Sequence, residues 1–76
     1  MKQKKVSAEA SALERVVSAA REVQAASQRL EVHYAHAPDE QPSTLELARF
    51  AAAMHELKDA REAFDVLVEK RNSPPP

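Results

Sequence analysis

A chain of 76 residues with no cysteine, no glycine and three aromatic side chains has room for one small domain, without disulfides, thiolate metal sites or glycine-rich phosphate loops. Hydrophobic residues at 43% and charged residues at 30% suit a folded chain rather than a disordered one. A net charge of −1 from 11 basic and 12 acidic residues speaks against a basic nucleic-acid surface. No apolar run reaches the roughly 20 residues that span a bilayer. The basic start Met1-Lys2-Gln3-Lys4-Lys5 is not followed by the apolar core of a signal peptide, so the expected setting is cytoplasmic with no membrane contact.

Residues 1–5 read as a basic leader with a solvated role. The first helix is expected over about residues 7–37. Ser11-Ala12-Leu13-Glu14 fits a capping box, with serine at the cap and glutamate three residues on. Ser7, followed by Glu9, is a competing start, because an acid in the first turn suits the helix dipole. Alanine-rich sequence without glycine or proline then continues to Ala37. Counted from Leu13 as heptad position a, the a and d sites are Leu13, Val16, Ala20, Val23, Ser27, Leu30, Tyr34 and Ala37. The adjoining g row is Ala12, Ala19, Ala26 and His33, whose small members widen the contact face. Arg15, Arg21, Glu22, Gln28 and Arg29 fall on the opposite side.

Residues 38–42, Pro-Asp-Glu-Gln-Pro, break the helix. Pro38 pushes Ala37 out of helical geometry, and a connection this short favours antiparallel neighbours. Ser43-Thr44-Leu45-Glu46 is a second capping box and opens a helix over about residues 43–71. Phe50, Leu57 and Phe64 recur every seven residues. Leu47, Met54 and Val68 stand beside them with Arg61 as the polar entry, and Ala53, Ala60 and Leu67 extend the stripe on the other side. Residues 72–76 read as a tail, with Asn72 as a cap and three prolines stopping the helix.

Two arms of about 45 Å joined by a short loop pair over their whole length. Residue i then lies opposite roughly 79 − i, setting Leu30 near Phe50, Val23 near Leu57 and Val16 near Phe64. The fold class is therefore all-α: one antiparallel, coiled-coil-like helical hairpin over residues 1–76. One seam hardly offsets the ordering cost of the chain, on the order of 110 kcal/mol. The hairpin is expected to complete a four-helix bundle, by dimerisation or by docking on another protein. The expected partner-binding residues are Leu13, Val16, Val23, Leu30 and Tyr34 on the first helix. On the second they are Leu47, Phe50, Met54, Leu57, Arg61, Phe64, Leu67 and Val68.

Chemistry-bearing clusters are thin. His33 and His36, with Glu46 across the loop, have a spacing that suits a shared metal, but Tyr34 takes the inward position between them and the helix dipole explains both histidines. Glu56, Asp59, Glu62 and Asp65 interleave with Lys58, Arg61 and Lys70 as a solvated face. Arg61 and Ser27 are polar entries that can fix register, Arg61 by pairing with Glu14 or Glu22 or by snorkelling. No enzyme, metal, cofactor or small-molecule substrate is expected.

The pattern of two long amphipathic helices around a short loop is similar to small helical hairpins such as Rop-like dimers and the short hairpin chaperones of bacterial secretion systems. The resemblance lies in size and helix pattern and carries no residue across. The function expected is a non-enzymatic protein–protein interaction module, an adaptor or assembly-type chaperone binding helices of itself or a larger protein. The alternative is a dimeric nucleic-acid regulator using Arg15, Arg21 and Arg29 as a basic stripe.

Overall fold

The computed structural model describes residues 7–72. Two helices of 29 residues each, α1 (Ala8–His36) and α2 (Thr44–Asn72), lie against each other. They form the all-helical hairpin that the spacing implies. The leader and the proline tail lie outside the described residues.

Of the two starts open to α1, Ser7 is the cap. Its hydroxyl accepts from the Ala10 amide at 3.0 Å, with Glu9 in the first turn. Ser11 is already helical and donates its amide to the Ser7 carbonyl at 3.0 Å. Nothing between Ser7 and Ser11 breaks a helix, so the earlier cap captures the start and the Ser11 box is not used. At the other end Ala37 leaves the helix at φ −140°, ψ 67°, outside the helical region that a following proline disfavours.

The Ser43 box forms in full. The Ser43 hydroxyl accepts from the Glu46 amide at 3.1 Å, and the Ser43 amide donates back to Glu46 Oε1 at 3.2 Å. Two orphan amides are thereby satisfied reciprocally. The helix runs through Asn72, one residue further than the sequence reading gives it.

The seam differs from the a/d reading. On α1 the less exposed positions are Glu9, Ala12, Val16, Ala19, Val23, Ala26, Ser27, Leu30 and His33, all but Ser27 in the d and g rows. On α2 they include Glu46, Phe50, Ala53, Leu57, Ala60, Phe64 and Leu67. Leu13, Ala20 and Tyr34 at a, and Leu47, Met54 and Arg61 on the matching row of α2, are exposed instead. The physical reason lies in the alanines. Helices approach most closely where side chains are smallest, and the deepest positions are Ala19 at 2% exposure and Ala60 at 0%. Closing on the alanine rows turns the larger a residues out of the seam.

No large side chain is fully buried among the described residues. The chain exposes 6484 Å², whereas a compact monomer of its 8.4 kDa mass would expose about 4600 Å².

Candidate interaction surface

The hairpin has two unlike sides, set by which residues flank the seam. On one side charge dominates. Arg15 Nε donates to Glu56 Oε2 at 2.7 Å and its Nη2 to Glu56 Oε1 at 2.9 Å, a bidentate pair across the two helices. That hydrogen bonding, more than the charge attraction beside it, lowers the Glu56 carboxyl below its usual range and raises Arg15. A groove of about 460 Å³ lies on the same side, floored by Ala25, Ala26, Ala52 and Ala53 and edged by Glu22, Arg29, Arg49 and Glu56. At the open end of the hairpin, Arg71 Nη1 reaches Glu9 Oε1 at 3.2 Å, close to the pairing that the 79 − i register gives.

The other side carries a row of exposed apolar side chains. One turn of helix is 3.6 residues, so positions on the far side of the seam from Glu22, Arg29, Arg49 and Glu56 share one surface. Leu13 (47% exposed), Tyr34 (49%), Leu47 (41%) and Met54 (45%) lie there. Ala20 and Ser27 continue the row on α1, Arg61 and Val68 on α2. Arg61 does not enter the seam and makes no ion pair with Glu14 or Glu22. It is exposed and borders a shallow depression with Met54, Leu57, Lys58 and Asp65. Of the other expected partner residues, Val16, Val23, Leu30, Phe50, Leu57, Phe64 and Leu67 belong to the seam, each partly exposed.

The loop end holds the histidines apart. A carbonyl only accepts, so His33 Nε2 donates to the Glu40 carbonyl at 2.8 Å and His36 Nδ1 to the Val32 carbonyl at 2.9 Å. Glu46 is engaged by Ser43. His55 pairs along its own helix with Asp59 at 3.3 Å. Among the described residues, no group of three or more potential ligands is placed to hold a metal.

The basic stripe of the alternative reading is divided. Arg15 and Arg29 flank the charged groove or its ion pair, while Arg21 borders a different depression with Leu13, Glu14 and Val17. The Arg15–Glu56 and Glu9–Arg71 pairs escaped the sequence reading, which set Arg15 on the outer side. Opposite charges flanking the seam of an antiparallel pair are the signal that points to them.

No helix among the described residues is long and apolar enough to cross a membrane. Comparison with protein-family models, with curated proteins and with solved structures finds no match.

Proposed function

We propose that this chain is a non-enzymatic helical interaction module, working in the cytoplasm, that lays its apolar side against helices of a second protein molecule. The observation that carries the reading is the row of Leu13, Tyr34, Leu47 and Met54 on one side of the hairpin, each more than two-fifths exposed. Apolar side chains exposed along one side of two packed elements mark a contact site. A hairpin presents two parallel ridges, and the natural occupant is helical, completing a four-helix bundle. An adaptor, or a chaperone shielding an amphipathic helix before assembly, is the concrete form of this activity. Nucleic-acid binding loses ground because Arg15 is committed to Glu56 and the remaining arginines lie on different sides.

The test is a photo-crosslinking amino acid placed at Met54 and, separately, at Val66, which faces away from both the seam and the apolar side. The expected result is a protein adduct from Met54 alone, in the organism's own extract or in the purified chain. Equal labelling from both positions, or none from either, contradicts the proposal.

A further inference from the structure

We infer that the occupant of the apolar side is a second copy of this chain, related by a two-fold axis parallel to the helices, so that both loops lie at the same end. The inference rests on the interaction reading above and names its partner. Three observations carry it.

The first is the direction of the apolar stripes. At 100° per residue, the a/d stripe on each helix centres roughly 50° away from the seam. Both stripes turn to the same side, opposite the groove lined by Glu22, Arg29, Arg49 and Glu56. In a square of four helices each member has two neighbours at right angles, and its stripe points midway, roughly 45° from each. A lone hairpin has no use for that rotation on both arms; a second pair of helices does.

The second is area. The free side, two helices wide and ~43 Å long, offers about the 800 Å² per partner of a standard interface.

The third is the pattern of size and charge. Midway along α1 the surface is low, at Ala20 and Ser27. At the same level of α2 the long side chains Met54 and Arg61 stand up. A copy turned about an axis parallel to the helices lays its Met54 over Ser27 and its Arg61 over Ala20, and receives the same in return. The ends match as well, Leu13 with the copy's Val68 and Tyr34 with its Leu47. Large thus meets small or apolar in every layer. Turning the copy about an axis across the helices would instead stack α2 on its own duplicate. Lys58 would then face the other copy's Lys58, a like-charge contact that costs stability. The parallel axis sets Lys58 beside the copy's Gln24.

The experiment is native mass measurement of the purified chain, with Ala20→Arg and Val66→Arg as variants. Both sites are exposed in the hairpin, so neither substitution disturbs its seam. The expected species has twice the 8.4 kDa chain mass. Ala20→Arg raises its dissociation constant about 100-fold, as a like charge set against the copy's Arg61 does, and Val66→Arg leaves it unchanged. A label pair at Gln41→Cys, the sole cysteine then present, reads a separation below ~30 Å. A separation above ~40 Å, the length of the helices, overturns the arrangement. A folded monomer overturns the second copy. If that monomer captures a protein that Ala20→Arg does not, the interaction reading survives; if it captures none, both fall.

Discussion

Arg15 and Glu56 stand 41 residues apart in sequence and are joined by two hydrogen bonds of 2.7 and 2.9 Å. The pair ties the first third of α1 to the middle of α2 on the charged side. It is nearly half exposed, so its contribution to stability is small and screened by salt. Its pH behaviour is still definite. Glu56 titrates below its ordinary 4.5 in the folded chain, so its stabilisation is present above that value and is lost as pH falls through the lowered one. Glu56→Gln should flatten the acid limb of a melting-temperature curve below pH 4.5. An unaltered acid limb would count against the pair.

The two capping serines make a sharper contrast. Ser43→Ala removes the acceptor for the Glu46 amide and should cost about 1 kcal/mol. Ser11→Ala touches a residue already inside α1 and should be neutral or slightly stabilising, since alanine is the better helix former. Thermal unfolding of the two variants side by side decides it; equal losses would restore the Ser11 box.

Ala60 has 0% of its surface exposed. Ala60→Leu forces extra side-chain volume between helices that close on alanine, and overpacking of this kind costs about 1–3 kcal/mol. In a domain of this size that lowers the melting temperature by roughly 4–8 °C per kcal/mol. Ala48→Leu, on the outer surface of the same helix, should show no such loss.

His33 anchors the loop by donating to the Glu40 carbonyl, while its own carbonyl takes the Ala37 amide at 2.8 Å. His33→Phe keeps a ring but removes the donor. The amide of Glu40, which donates to Ala37 at 3.1 Å, should then exchange faster with solvent while mid-helix amides are unchanged.

Much of this was legible in the residues themselves. Pro38 and Pro42 fix the break, and the Ser43–Glu46 box fixes the start of α2, because both act through local backbone chemistry. The heptad rows gave the apolar residues of both helices. They did not give the direction each row faces, since periodicity locates a stripe on a helix but not the neighbour it meets. That choice fell to Ala19 and Ala60, whose small size sets the closest approach and carries little weight in a hydrophobic pattern. The Arg15–Glu56 pair was hidden for the same reason: it depends on the rotation of the seam.

The central claim is that the hairpin does not stand alone. Helicity and melting temperature of the purified chain, followed by circular dichroism over about a thousand-fold range of concentration, test it most directly. The melting temperature should climb with concentration and the helical signal fade on dilution. A cooperative transition at one temperature across the whole range would contradict it.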